Sequence, residues 1–303
     1  MKKFLLTVAA GAMMLAGCSK NEGVVNPEPE KPAPENPTEQ TKIPINVATS
    51  VWTRATDSAF EIDDKVGIYV VNFNGSTPGT LGNSGNHVDN MCYTYSGTWT
   101  PAMPVYWLDQ TTKADFYCYY PFASAVNDVS AYSFAVQTDQ SIEANYKASD
   151  LLWGKCDAVS PTAEPVQITV RHSMSNIIIK LQAGDGYTAA DMERATVTVL
   201  GVKVNATVNL ATGVATAAGS DYEISPKRED YGYRALVVPQ SVSNAPLIKV
   251  QIDNNQYVLT QSITFEANKQ HTCTLTVNRI GNGLNIGIGG WQTDERDYGG
   301  TVE

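Results

Sequence analysis

The chain has 303 residues, 31 acidic against 21 basic, and a formal net charge of −10. An acidic surface of this kind argues against a nucleic-acid partner and against a polybasic membrane patch. Hydrophobic residues make up 43% of the chain, enough for a sizeable core, and past the N-terminal leader no run is long and apolar enough to span a bilayer.

Lys2 and Lys3 form a basic n-region. Phe4 to Leu15 is mostly apolar, of signal-peptide length and too short to cross a membrane. The run ends in Leu15-Ala16-Gly17-Cys18, the order of a lipobox: small residues before the cut, then a cysteine whose thiol takes a diacylglyceryl group. Residues 1–17 are therefore expected to leave as a lipoprotein signal peptide. Cys18 becomes the lipidated N-terminus, with a further acyl chain such as palmitate on its amine. One acyl chain, at about 0.8 kcal/mol per buried CH₂, binds a membrane only marginally; two or three anchor stably. The bland alternative is an ordinary secretory signal with a chance cysteine. Ser19 rather than Asp follows the cysteine, which favours the outer membrane. Losing Lys2 and Lys3 takes the net charge from −10 to −12.

Residues 18–42 read as a tether. Asn26-Pro-Glu-Pro-Glu-Lys-Pro-Ala-Pro-Glu-Asn-Pro37 alternates prolines that remove backbone donors and hold an extended polyproline conformation. At roughly 3.1 Å per residue it holds a folded part tens of ångströms from the lipid.

From Ile43 onward, period-two alternation dominates. Ile43, Ile45, Val47, Thr49 and Val51 share one face of a first strand. Further strands are read at Val66–Val71, Asp115–Pro121, Val166–Val170, Asn176–Leu181, Ala195–Leu200 and Ala206–Leu210. The series goes on through Ala235–Pro239, Leu247–Ile252, Gln256–Leu259 and Thr272–Val277. Gly184-Asp-Gly186, Ala211-Thr-Gly213 and Asp253-Asn-Asn255 mark turns. The one helix expected is short, Thr188 to Arg194. Many short strands with almost no helix imply an all-β chain of antiparallel β-sandwiches. A composition shift over residues 155–165 places a boundary between two of them, 43–162 and 163–303.

Catalytic and metal patterns are not evident. His87 lies in a Gly/Asn-rich loop, His172 just past a strand and His271 at the start of one. No G-x-S-x-G, H-E-x-x-H or Walker sequence is present. Asp63-Asp64 reads as a solvated turn rather than a calcium loop. Cys92, Cys118, Cys156 and Cys273 form no C-x-x-C pair and have no histidine at ligand spacing, so they read as core thiols. Trp99, Trp107, Trp153, Tyr117, Tyr119 and Tyr120 have two readings: filling for a sandwich core, or a stacking face for sugar rings. No cofactor, metal or catalytic activity is expected.

The ordered set of motifs resembles the fimbrillin (Mfa-like) family of Bacteroidales lipoproteins. It runs through Phe60-Glu-Ile-Asp-Asp-Lys-Val-Gly-Ile-Tyr69, Val105-Tyr-Trp107, Asp115-Phe-Tyr-Cys-Tyr-Tyr-Pro121 and Asp150-Leu-Leu-Trp-Gly154. Ile168-Thr-Val-Arg-His172, Phe265–Val277 and Ile288-Gly-Gly-Trp291 complete it. The resemblance implies two tandem transthyretin-like antiparallel β-sandwich domains and a subunit (stalk, tip or anchor) of a type V pilus supporting adhesion. It implies export through the periplasm to the cell surface, and a trypsin-like protease cutting in the loop after the first strand. Here Arg54-Ala55 is the matching site. The cut would release Cys18, the tether and the strand of Ile43, Ile45, Val47, Thr49 and Val51. A neighbouring pilin, self or related, would then fill the groove by β-strand addition. Leu284, Ile286 and Ile288 alternate as a candidate donor strand. Asp57-Ser58-Ala59 resembles an O-glycosylation site. The rival reading is a glycan-binding outer-membrane lipoprotein of nutrient uptake, with an intact anchor and exposed aromatic side chains.

Overall fold

The computed structural model describes residues 42–51, 59–279, 286–288 and 292–293. All of them fall in one compact unit, Lys42–Glu303. The elements begin with β1 (Val47–Val51), β2 (Lys65–Asn72), β3 (Val88–Tyr95), β4 (Trp99–Pro101) and β5 (Ala114–Tyr120). Next come β6 (Tyr132–Ala135), helix α1 (Glu143–Ala148), β7 (Leu152–Val159), β8 (Val166–His172) and β9 (Ser175–Ala183). Helix α2 (Ala189–Arg194) precedes β10 (Thr196–Asn209), β11 (Val214–Ile224), β12 (Lys227–Glu229) and β13 (Gly232–Val237). The last strands are β14 (Gln240–Ile252), β15 (Asn255–Phe265), β16 (Gln270–Val277), β17 (Ile286–Ile288) and β18 (Gln292–Thr293). The chain is all-β, as its alternation requires.

A seven-stranded sheet runs in the order β1-β8-β7-β5-β2-β3-β4. Every pairing in it is antiparallel except that of β1 with β8, which is parallel. Both faces of its middle are covered. The period of two sends Val66, Ile68, Val70, Phe116 and Cys118 into one core and Tyr69, Val71, Tyr117 and Tyr119 into another. That is why β5 is buried along nearly its whole length and reads in the sequence as a continuous aromatic run. The strand stops at Pro121, which has no N–H to continue a ladder.

The second core lies between two further sheets. One runs β11-β10-β14-β15, with β6 also paired to β10; the other runs β12-β13-β9-β16-β17, with β18 also on β16. Val197, Val199 and Val250 from the first meet Ile177, Ile179 and Leu275 from the second in a single cluster. The strands expected at Ala195–Leu200 and Ala206–Leu210 are one, β10. Its register shifts between Val199 and Val202, where Gly201 takes φ +61, and that bulge interrupts the alternation seen in the sequence. β8 completes the seven-stranded sheet, between β1 and β7.

α2 starts at the expected place because Thr188 and Asp191 form a reciprocal capping box. α1 was not legible: it has six residues and buries only Tyr146, too few for a helical period to show. The Asp150–Gly154 motif joins the first sheet to the second core. Leu151 and Leu152 are buried, and the Trp153 indole N–H donates to the Leu210 carbonyl at 2.7 Å. Gly154 leaves room for β8, since a Cβ there would lie 2.4 Å from the Thr169 carbonyl oxygen.

Candidate functional site

The first strand is wedged into its core rather than laid over it. Ile45 and Val47 are 1% and 5% exposed, and Ile43 and Val51 pack half-buried against the same cluster. On one side β1 pairs with β8 in the register Val47↔Val166, Thr49↔Ile168 and Val51↔Val170. The Val166 N–H donates to the Asn46 carbonyl at 2.9 Å, extending that contact. On the other side the chain before β1 meets the segment after β4. Ile45 N–H donates to Val105 C=O at 2.9 Å, and Trp107 N–H donates to Ile43 C=O at 3.0 Å. These bonds explain the Val105-Tyr-Trp107 motif. Tyr106 bridges to Pro44, while the buried Trp107 ring donates from Nε1 to the Thr162 carbonyl at 3.0 Å.

Polar groups inside this core are few and aimed at the first strand. The Tyr93 hydroxyl, pushed up in pKa by burial, donates to the Ile45 carbonyl at 3.4 Å. The Trp99 indole N–H donates to the Thr49 hydroxyl at 2.8 Å. Trp99 belongs to β4 and Thr49 to β1, the two ends of the strand order. The sheet therefore curls until its edges meet over the core. Sequence reasoning missed this bond; its signal was Thr49, the polar residue in an otherwise aliphatic inward series.

Past Val51, residues 52–58 lie outside the described residues, and Arg54, Ala55 and Ser58 with them. Cys18 and Leu284 also lie outside. The chain returns with Phe60, whose ring stacks edge-on against Trp99 at 4.9 Å and Tyr120 at 5.6 Å. Asp63 has φ +73 in the turn that follows. The Asp64 carboxylate accepts the Glu61 N–H at 2.7 Å and the Tyr120 hydroxyl at 3.1 Å. Ile286 and Ile288 fall in β17, paired antiparallel with Val277 and Leu275 of β16.

Elsewhere the titratable groups are dispersed. His87 Nε2 lies 2.7 Å from the Tyr106 carbonyl, and His172 Nδ1 lies 2.6 Å from Asp150 Oδ1. His271 sits edge-on to Phe265 at 5.5 Å with its Nε2 buried and without a hydrogen bond, and burial lowers its pKa. Cys92, Cys118, Cys156 and Cys273 are all free, Cys118 and Cys273 being buried. Among the described residues no three His, Cys, Asp or Glu side chains gather as a metal site. Of the six aromatics, Trp99, Trp107, Tyr117 and Tyr119 are buried and fill cores, while Trp153 and Tyr120 are half-buried and packed against them.

A fimbrillin-like family model matches residues 53–291. The chain belongs to the fimbrillin-like family. A Bacteroides uniformis protein named as fimbrium subunit Fim1C is 23% identical over 308 residues, covering 96% of this chain and 95% of that protein. A Bacteroides ovatus protein named as fimbrium tip subunit Fim1C is 24% identical over 198 residues, 60% of this chain and 36% of that one. A solved structure named as a cell adhesion protein of Bacteroides uniformis has the same fold. Its TM-score is 0.64 at 23% identity, over 85% of this chain and all of that one.

Proposed function

We propose that this fimbrillin-like chain is a surface-adhesion pilus subunit that accepts a strand from a neighbouring subunit in place of β1. The observation that carries the reading is the placement of β1. Among the described residues it is an edge strand whose ladder partner is β8, yet Val47, with Ile45 just before the strand, fills the core. Burying each of these is worth about 1.5–3 kcal/mol. A chain that loses β1 exposes an apolar slot and the unpaired edge of β8, which template an incoming strand.

In this reading Cys18 is lipidated, residues 18–42 tether the precursor to the outer membrane, and a trypsin-like protease cuts between Arg54 and Ala55. The two sandwiches are residues 43–162 and 163–303, the second lending β8 to the sheet that holds the groove. The chain sits at a pilus end. The name of the Bacteroides ovatus relative, a tip subunit, supports that position. So does the pairing of β17 and β18 on β16 of the same molecule, which keeps the candidate donor segment engaged.

Limited trypsin digestion of the chain from Ser19, followed by mass spectrometry and electron microscopy, tests this. The expected product begins at Ala55 and does not form filaments by itself. Filaments of the cut chain alone would mark a stalk subunit, and an Arg54 that trypsin cannot cut would refute processing.

A further inference from the structure

The slot beneath β1 carries one polar demand. Ile45 and Val47 point into it, but the next inward residue is Thr49, whose hydroxyl accepts the Trp99 indole N–H at 2.8 Å. Trp99 is 8% exposed and is held against Phe60 at 4.9 Å and Tyr95 at 5.1 Å. An indole N–H donates only, so when β1 leaves, the slot keeps a donor aimed at the place the Thr49 hydroxyl occupied.

We propose that this donor selects the incoming strand, and that the strand comes from a subunit other than a second copy of this chain. Running as β1 does, it carries aliphatic side chains at the Ile45 and Val47 positions and a side-chain oxygen at the Thr49 position. The proposal rests on the strand-addition reading above and names its partner. The pattern is the one that Ile45 and then β1 present to the slot. The candidate donor of this chain does not match it. Leu284-x-Ile286-x-Ile288 is aliphatic at all three positions, and Ile286-x-Ile288-x-Gly290 ends on glycine. Ile288-x-Gly290-x-Gln292 offers an oxygen but leaves the Val47 position empty, and Gly289-x-Trp291-x-Thr293 puts an indole where a valine fits. No frame from Leu284 to Thr293 supplies two aliphatic residues followed by an oxygen.

A strand that leaves the indole N–H unsatisfied forfeits a part-buried hydrogen bond, which corresponds to about tenfold weaker binding. The test uses the full chain with a sequence-specific protease site replacing Thr53–Ser58, cut and offered labelled peptides in excess, with binding followed by fluorescence anisotropy. The peptides are Ile43–Val51, the same peptide with Thr49→Val, and Leu284–Thr293. The Thr peptide is expected to bind about tenfold more tightly than its Val isostere, and Leu284–Thr293 more weakly than the Thr peptide. In the Trp99→Phe chain the preference for Thr over Val should vanish. Equal binding of the Thr and Val peptides to the unaltered groove would overturn the proposal, and that comparison stands even where Trp99→Phe fails to fold. Tight binding of Leu284–Thr293 would overturn the assignment to a different subunit. Failure of every peptide to enter would instead overturn strand addition itself, and this inference with it.

Discussion

Truncating Ile45 to alanine should loosen the first strand specifically. Ile45 is 1% exposed and lies in the core roofed by Trp99 and Trp107. Removing a buried isoleucine to alanine costs about 2–5 kcal/mol, more where the site cannot collapse. Here the neighbouring backbone is fixed on both sides, by the Val105 carbonyl and by the Tyr93 hydroxyl, so collapse is restricted and a cost of about 3 kcal/mol is expected. With a urea dependence of about 2 kcal/mol per molar, the midpoint falls by roughly 1.5 M. The exposed neighbour Asn46→Ala should move it by less than about 0.3 M. Hydrogen exchange adds location. Amides of Val66–Val70 and Phe116–Tyr119 should lose protection, while those of Val197–Val199 and Ile248–Ile252, in the second core, should keep it. An Ile45→Ala midpoint equal to that of Asn46→Ala, or protection lost uniformly, would refute a strand wedged into one core.

Other expectations follow from the same contacts. Gly154→Val places side-chain atoms against the Thr169 backbone, 2.4 Å from the ideal Cβ, and should destabilise by about 1–3 kcal/mol in urea melts or prevent folding; a neutral result would show that β7 and β8 are not so closely apposed. His271 has its pKa lowered from 6.5 by burial, so the unfolded chain takes up the proton first. Its contribution is complete above the ordinary value and is lost as pH falls through 6.5 toward the lowered one. The chain should therefore lose urea stability between pH 7.5 and 5.5, and His271→Phe should flatten that slope; an unchanged slope would contradict the burial of the ring. Burial raises the Cys118 thiol, and pushes that of Cys273 up to about 12. At pH 8 iodoacetamide should spare both in the folded chain and modify them in urea, read by peptide mass; rapid labelling of folded Cys273 would show that β16 opens.

The strands were legible where one face is buried and the alternation is regular, as in Val166–Val170 and the inward series from Ile45. The Asp253 turn was legible too, since Asp253 takes φ +52 between β14 and β15. Bulges blurred the longer strands: Gly201 cut β10 in two to the eye. Short partly buried elements such as β4 and α1 gave no periodic signal. The first strand of the candidate site was read from Ile43 to Val51; its ladder begins only at Val47, and Ile43 and Ile45 precede it, bonded instead to Trp107 and Val105. The strand's partner Trp99, 50 residues on from Thr49 in sequence, was not legible. Only the curl that brings the edges β1 and β4 together creates that contact, and a pattern of single residues does not encode such long-range closure.

The most direct measurement is the N-terminal sequence, by mass spectrometry, of this protein taken from pili on the cells that make it. Strand addition after processing predicts a chain that begins at Ala55, with no peptide from Ile43 to Arg54. A chain in those pili that still begins at an acylated Cys18, with Ile43–Arg54 covalently in place, would contradict it.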